Sequence, residues 1–162
     1  MKTIYLSLGS NLGDREAQLR DAIRRLEAAE VCVLRRSPVF ETEPQDVPGQ
    51  GWFLNAVVEA ETALFPLQLL SRTQAIEHEM GRRRLMAGGP RNIDIDILLY
   101  GKFAIRTPQL EIPHPRLGQR RFVLEPLAAL SPELRHPVTG RTVREMLNDV
   151  QDQQVVASGV IL

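Results

Sequence analysis

Apolar and polar residues alternate with a period of two along four stretches of the chain. This pattern is typical of β-strands with one buried face, and it predicts strands over 3–8, 31–36, 53–62 and 93–99. In the third strand, one face carries Leu54, Ala56, Val58 and Ala60, and the other carries Asn55, Val57, Glu59 and Glu61. In the fourth strand, the predicted core face carries Ile93, Ile95, Ile97 and Leu99. We expect the second and third strands to pair.

Two further stretches repeat their apolar residues with the spacing of an amphipathic helix. The first helix follows Asp14, a suitable N-cap, and its predicted buried residues are Leu19, Ala22, Ile23 and Leu26. The second begins at Pro66 and ends before Gly81, and its predicted buried residues are Leu69, Leu70, Ile76 and Met80. Gln74 and Glu77 are three residues apart, so they share a face of this helix.

Long polar segments rich in Gly, Pro or Arg predict loops over 42–51 and 82–92. Loops of this length in a compact domain are often functional. Beyond residue 99 the pattern predicts a hairpin within 100–112, a short helical turn at 131–133, and a last helix through Leu147. A capping box of Thr142 and Glu145 opens that helix. The tail, 151–162, is either a loose end or a last strand.

The order β-α-β-β-α-β over residues 1–99 is that of a ferredoxin-like sandwich. We therefore predict an α+β fold in which C-terminal helical and hairpin additions create a third layer, giving a three-layer αβα arrangement. The length of 162 residues favours a single domain over 1–162.

Composition narrows the class of protein. The single Cys32 excludes a disulfide framework and a cysteine-based zinc site. No apolar run approaches the length of a membrane span, and no signal-peptide pattern opens the chain. We therefore expect a cytoplasmic protein with no membrane partner.

The net charge of zero conceals an uneven distribution. Residues 82–121 carry 9 basic and 3 acidic side chains, whereas residues 1–81 carry 8 basic and 12 acidic ones. A balanced total argues against general nucleic-acid binding. The local excess of positive charge instead indicates a site for one anionic ligand.

Asp94 and Asp96 are two positions apart on a predicted strand. Their carboxylates therefore share a face, about 7 Å apart, while the flanking isoleucines point to the core. Two carboxylates on one face suit Mg²⁺, which usually takes its other ligands from water and substrate phosphates. An edge strand with two solvated aspartates would show the same pattern, so the pair alone does not decide between these interpretations.

Basic residues surround the aspartate pair in sequence. Arg82, Arg84 and Arg91 lie in the preceding loop, and His114 and Arg120 lie in the segment that follows. Guanidinium groups bind phosphate oxygens in two-point geometry. Magnesium ligands beside phosphate-binding arginines indicate phosphoryl transfer. The sequence contains no G-x-x-x-x-G-K-[ST] phosphate loop, so a P-loop enzyme is excluded.

The segment GPRNIDIDIL, residues 89–98, resembles the signature of the 6-hydroxymethyl-7,8-dihydropterin pyrophosphokinase family. Further segments resemble other motifs of that family in the same order, over residues 3–135. They are LGSNLG at 8–13, Thr42, FLNA at 53–56, the Gln74 to Arg84 segment, PHP at 113–115 and RRF at 120–122. Several dispersed motifs in register are highly specific.

The resemblance implies transfer of pyrophosphate from ATP to the pterin hydroxymethyl group, with release of AMP, in folate biosynthesis. It implies that Asp94 and Asp96 bind two Mg²⁺ ions and that Arg82 and Arg91 take part in catalysis. It assigns the remaining residues by position. The ATP site would contain Gln74, Glu77, Arg82, Arg84, Arg91, Ile97, His114 and Arg120. The pterin site would contain Thr42, Glu43, Gln45, Phe53, Asn55, Asp94 and Phe122.

The chemistry of the pterin residues suits a planar polar heterocycle, which requires aromatic faces and an amide that both donates and accepts. The resemblance also implies that residues 82–92 form a mobile catalytic loop. Many relatives carry an Arg-Trp pair just before Gly-Pro-Arg, where this chain has Ala87-Gly88. The expected partners are the two small-molecule substrates, and we expect a monomer that binds no nucleic acid.

Three other classes share some of these features. A Mg²⁺-dependent nuclease or nucleotide hydrolase would also use an aspartate pair and arginines. A non-catalytic ligand-binding module would need neither the aspartate pair nor the arginine-rich loop. An RNA-binding sandwich would need aromatic residues on the sheet face, where this sequence has Glu59 and Glu61.

Overall fold

Four α-helices and eight strands make up the computed structural model, which describes residues 1–44, 49–81 and 92–162. The strands are β1 (Lys2–Ser10), β2 (Val31–Arg36), β3 (Phe40–Thr42), β4 (Phe53–Thr62), β5 (Asp94–Tyr100), β6 (Ile105–Arg106), β7 (Glu111–Ile112) and β8 (Val155–Ala157). The helices are α1 (Arg15–Ala28), α2 (Pro66–Glu79), α3 (Arg121–Leu130) and α4 (Val143–Asn148), with a 3₁₀ helix at Leu117–Gln119.

Six of the strands form one antiparallel sheet in the order β5-β1-β4-β3-β8, and β2 also pairs with β4. The predicted pairing of the second and third alternating strands is therefore confirmed. β6 and β7 form the hairpin predicted within 100–112. The central strand β1 places Gly9 beside Asn55 of β4 on one side and beside Asp94 of β5 on the other.

Helices cover both faces of the sheet. The buried residues of α1 and α2 pack against Ile4, Leu6 and Leu8 in one apolar cluster. The second cluster joins α3 and α4 to Tyr5 and Val57 on the opposite face. Each fully buried large apolar side chain contributes about 1.5–3 kcal/mol, so two such clusters fix the sheet between the layers.

The predicted core face of the fourth alternating strand is wrong at Leu99. Tyr5 pairs with Leu99 and Leu6 with Ile97, so Leu98 is an extra residue that forms a β-bulge. The bulge reverses the alternation, and Leu99 packs in the α3 and α4 cluster instead of beside Ile97. Ile93, Ile95 and Ile97 do lie in the predicted core.

Two elements, β3 and α3, are not among those predicted. β3 contains Thr42, which the sequence assigns to a loop, and α3 follows the 3₁₀ helix. The tail forms β8, which is one of its two expected forms. Where a short helical turn was predicted at 131–133, the chain forms a single turn in which the Leu134 N–H donates to the Ser131 carbonyl. No helix among the described residues is long and apolar enough to cross a membrane.

Candidate active site

A row of polar residues crosses three strands at one end of the sheet. Asp94, Gly9 and Asn55 are direct neighbours in the row, and Asp96 lies beside Ser7 one pleat away. Adjacent strands are about 4.8 Å apart, so Asp94 and Asn55 are separated by about 10 Å across the glycine. Because Gly9 has no side chain, the Asn55 and Phe53 side chains can approach the backbone of β1 at this point.

Alternation along each strand places this row on the face that α3 and α4 cover at the other end of the sheet. Tyr5 and Val57 lie beneath α3, and the row continues the same face beyond the helix. Phe122, in the first turn of α3, packs against that cluster. The Arg120 guanidinium lies 5.3 Å from the centre of the Phe122 ring, within the range of a cation–π contact. The start of α3 therefore brings Arg120 and Phe122 to the site.

The Asn55 amide is buried and held in one orientation. Asn55 is 3% exposed and its Nδ2 donates to the Thr42 hydroxyl, which is itself buried. A Cβ on Gly9 would lie only 2.6 Å from Asn55 Oδ1, so this oxygen closely approaches the Gly9 backbone. β3 thus supplies the partner that fixes Asn55, with half-buried Phe53 opposite Thr42.

The turn after β1 holds the far end of the first long loop. Asn11 Nδ2 donates to Gln50 Oε1 at 2.8 Å and to the Gly51 carbonyl at 3.0 Å. At the near end, the Glu43 N–H donates to the carbonyl of Gln154 at 3.2 Å. The loop is therefore anchored at both of its described ends. Gln45, predicted for the pterin site, lies outside the described residues.

Glu77 has a backbone partner that its sequence position did not predict. It is 7% exposed on α2, and its Oε2 accepts the N–H of Ile95 at 2.7 Å. This N–H belongs to β5, which is the outermost strand on its side of the sheet. The carboxylate satisfies an edge donor and fixes the strand between Asp94 and Asp96. Gln74, on the same helix, is exposed.

His114 lies beside β5, where it is bound to Leu98, the residue of the β-bulge. Its backbone N–H donates to the carbonyl of Leu98 at 3.0 Å. Burial, and after it the charge of Arg120, lowers the pKa of His114 to about 4, against the opposing charge of Asp94. The ring is therefore neutral near pH 7. Nδ1 accepts the Arg116 N–H at 3.2 Å, so the proton resides on Nε2, which is a donor for an anionic ligand.

The other predicted site residues divide into two groups. Ile97 is buried in the core on the opposite face of the sheet from the aspartates, so its side chain does not join them. Arg82, Arg84 and Arg91 lie outside the described residues, as does most of the loop over 82–92. Within the described chain, no group of three or more His, Cys, Asp and Glu side chains is arranged to hold a metal ion.

Sequence reasoning missed the role of Gly9, which lies beyond the predicted end of the first strand at residue 8 but inside β1 in the structure. A glycine next to an alternating strand was the available signal, because glycine within a strand often marks close approach by a ligand or another group. No comparable signal in the sequence indicates the contact between Glu77 and Ile95.

Fold and site together define a mixed α/β protein with an acidic pair, a neutral histidine and a buried amide at one end of an antiparallel sheet. The sequence model of the 7,8-dihydro-6-hydroxymethylpterin-pyrophosphokinase (HPPK) family matches residues 5–132. The chain belongs to this family.

Relatives of similar length support the assignment. The chain is 46% identical over 136 residues to the 2-amino-4-hydroxy-6-hydroxymethyldihydropteridine pyrophosphokinase of Bacillus subtilis, covering 83% of this chain and 81% of that protein. It is 42% identical over 145 residues to the Aquifex aeolicus protein of the same name, covering 90% of each.

Longer proteins also match. The chain is 42% identical over 154 residues to the folic acid synthesis protein fol1 of Pneumocystis carinii, covering 95% of this chain but only 21% of that protein, so it spans about a fifth of that relative. The solved structure of wild-type Plasmodium falciparum HPPK-DHPS with pteroate aligns with a TM-score of 0.74 at 19% identity, covering 91% of this chain and 42% of that one. This likeness supports the fold.

Proposed function

We propose that this chain transfers pyrophosphate from ATP to the hydroxymethyl group of 6-hydroxymethyl-7,8-dihydropterin, giving AMP and the pterin diphosphate in folate biosynthesis. The observation that carries the proposal is the row in which Gly9 separates Asp94 from Asn55. The backbone positions that carry a carboxylate suited to a cation–phosphate site and an amide suited to a heterocycle thus lie about 10 Å apart. Family membership supports the same reaction.

The fold supports the finer assignment to the ferredoxin-like class. Without β3 and β8, the sheet has the neighbour order β5-β1-β4-β2. In the chain, α1 follows β1 and α2 follows β4. The C-terminal helices then form the added third layer.

The pterin site we propose combines a buried amide with aromatic side chains. Asn55, oriented by Thr42, would bind the polar edge of the ring, and Phe53 and Phe122 would contact its faces. Glu43 would contribute largely through its backbone, as would Gln45. Because Asn55 is already fixed, little conformational entropy is lost when the pterin binds.

The nucleotide site we propose lies along the β5 edge. Arg120 would bind a phosphate as a cation, whereas His114 would donate from Nε2 as a neutral group. Gln74 would line the nucleotide site from α2. By the family resemblance, Arg82 and Arg91 would bind phosphate and take part in catalysis, and Arg84 would line the nucleotide site. For Glu77, the bond to Ile95 favours a role through the strand over direct nucleotide contact.

The carboxylates fit a magnesium site in their donor chemistry. Both are half-buried hard oxygen donors on one face of one strand, and magnesium characteristically needs only one or two such ligands. We propose that Asp94 and Asp96 hold two Mg²⁺ ions with the ATP phosphates. When bound, the ions would neutralise phosphate charge and align the phosphate chain.

In the proposed reaction, the pterin hydroxymethyl oxygen attacks the β-phosphorus of ATP in line with the bond to the α-phosphate oxygen. The new oxygen–phosphorus bond forms as that bond breaks, AMP leaves, and the hydroxyl proton passes to solvent. Asn55 and the aromatic residues hold the nucleophile, while Arg120 and His114 stabilise negative charge. Positioning and electrostatic stabilisation therefore account for most of the catalysis.

Product analysis with ATP, Mg²⁺ and the hydroxymethyl-dihydropterin tests the proposal. AMP and the pterin diphosphate are the expected products, in equal amounts. ADP as the nucleotide product would contradict pyrophosphoryl transfer. Equal nucleotide turnover with and without the pterin would indicate a nucleotide hydrolase.

Asp96→Ala tests the aspartate assignment. We expect this variant to lose turnover while it unfolds at the same temperature as the unaltered protein, because the side chain is only half-buried. Asp149→Ala, which removes an exposed carboxylate paired with Arg141, is the matched control and should remain active. Normal turnover in Asp96→Ala would refute the proposed metal site.

A further inference from the structure

The segment over 151–157 contacts two parts of the candidate site, although it lies beyond the residues that the family model matches. Its strand β8 pairs with β3, where Val155 is the partner of Thr42. Just before that strand, Gln153 reaches the junction between the 3₁₀ helix and α3. Of residues 151–154, only Gln153 is half-buried, and the other three are exposed.

The Gln153 carboxamide binds the backbone on both sides of Arg120. Its Nε2 donates to the Gln119 carbonyl at 2.8 Å, and its Oε1 accepts the Arg121 N–H at 2.8 Å. Arg120 is extended, with φ −123° and ψ 104°. In extended backbone the preceding carbonyl and the following N–H point to the same side, so one amide can satisfy both. The two bonds together define the backbone conformation of Arg120.

The same contact caps α3. The first N–H groups of a helix have no partner within it, and the N-cap residue Arg120 makes no side-chain cap. Gln153 supplies the missing acceptor from a distant part of the chain. Arg121 strengthens the connection, since its Nη1 donates to the Gln153 carbonyl at 2.7 Å. Arg121 is thus bound to the tail, while Arg120 extends over Phe122.

We infer that Gln153 is a positioning residue, which directs Arg120 toward the ATP phosphates and Phe122 toward the pterin by fixing the backbone that joins them. The inference rests on the proposed function, because it takes the roles of Arg120 and Phe122 from there. Gln153 itself does not contact substrate in this scheme.

Steady-state kinetics of Gln153→Ala test the inference. Two hydrogen bonds of ordinary net strength are lost, so we expect KM for ATP to rise about tenfold, with a smaller change in kcat. Gln151→Ala is the matched control, because the Gln151 side chain donates to the carbonyl of Leu147 in α4 and not to the backbone around Arg120. That variant should keep the KM of the unaltered enzyme.

The double variant with Arg120→Ala separates positioning from a general effect on folding. If Gln153 acts through Arg120, Gln153→Ala should change KM for ATP little further once Arg120 has been removed. Equal effects in both backgrounds would overturn the inference, even if Gln153→Ala also lowers the melting temperature. So would a Gln153→Ala variant with the KM of Gln151→Ala. Arg120→Ala with an unchanged KM would instead contradict the proposed function, and this single variant distinguishes the two failures.

Discussion

Gly9 shows how one missing side chain shapes the site. Its Cβ position is 2.6 Å from Asn55 Oδ1, closer than nonbonded atoms approach. The Gly9 backbone does not require glycine, since its φ is not in the left-handed region. The constraint is therefore the space above β1, which the Asn55 amide and a bound pterin would share.

We predict that Gly9→Ala folds but binds the pterin at least tenfold more weakly. The added methyl group forces the Asn55 amide to rotate away from Thr42, and an unmade polar contact costs about 1–3 kcal/mol. Calorimetric titration with the pterin measures the effect. Gly118→Ala, where the nearest atom would be Met146 Sδ at 3.5 Å, should bind normally. Unchanged pterin affinity in Gly9→Ala would contradict the proposed role of Asn55.

Glu77 offers a second test at the residue scale. Glu77→Leu leaves the Ile95 N–H without its acceptor, so we expect stability to fall by about 1–3 kcal/mol and turnover to fall with it. Glu77→Gln keeps an acceptor oxygen and should retain most of both. Urea unfolding and steady-state kinetics of the two variants check this. A rise in KM for ATP in both variants, at unchanged stability, would instead indicate direct nucleotide binding.

Residue-scale predictions from the sequence succeeded where strand alternation alone decides the outcome. Asp94 and Asp96 share a half-buried face because their strand is regular there, whereas the bulge at Leu98 reverses Leu99 just beyond. Helical spacing put Gln74 and Glu77 on one face, yet Glu77 is buried and Gln74 exposed. The partner that buries Glu77 is a backbone N–H on a distant strand, which periodicity cannot reveal.

At the scale of elements, the capping box of α4 formed as predicted. The Thr142 hydroxyl accepts the Glu145 N–H at 3.1 Å, and Glu145 Oε1 accepts the Thr142 N–H at 3.2 Å. We predict that Thr142→Ala lowers the free energy of unfolding by about 1 kcal/mol, as for other N-caps. Thr142→Ser, which keeps the hydroxyl, should restore most of it. Chemical denaturation measures both, and equal stability of the two variants would contradict the cap.

The elements that the sequence leaves open or misses depend on distant contacts. β3, which was missed, and β8, which was one of two forms expected for the tail, contain three residues each; β3 pairs with β4, and β8 pairs with β3. No three-residue segment has a recognisable period. α3 contains Pro126, and an interior proline weakens any helix prediction from sequence. The long helices and strands were predictable, because their apolar residues repeat with a regular spacing over many positions.

At the scale of the whole molecule, charge is divided between scaffold and site. The basic segment 82–121 contains Arg120 and His114, which lie beside the aspartate strand, and its excess of positive charge comes from its arginines and Lys102 and not from the neutral His114. The acidic residues elsewhere mostly pair within the scaffold. One such group joins the layers: Arg35 donates to both Glu59 oxygens at 3.0 and 2.9 Å and to the Leu130 carbonyl at the end of α3. Glu59 Oε2 also accepts the Tyr5 hydroxyl proton at 2.5 Å.

Because of this network, the free energy of unfolding should depend on pH in the acidic range. The hydrogen bonds from Arg35, and then that from Tyr5, hold the pKa of Glu59 below its ordinary value of 4.5, against the opposing effect of burial. The folded protein therefore binds this proton less readily than the unfolded chain. The contribution of Glu59 is fully present above about pH 4.5 and is lost as the pH falls through the lower folded value.

We therefore predict that Glu59→Gln is less stable than the unaltered protein at pH 7 and that the difference shrinks steadily below pH 4.5. Loss of the charge removes the ionic part of the contact with Arg35, but protonation removes the same charge from the unaltered protein in acid. Thermal unfolding at pH 7, 5, 4 and 3 measures the difference. Glu61→Gln, two positions along the same strand, is the control for removal of one carboxylate. A difference that stays constant from pH 7 to pH 3 would show that the Glu59 charge does not join α3 to the sheet.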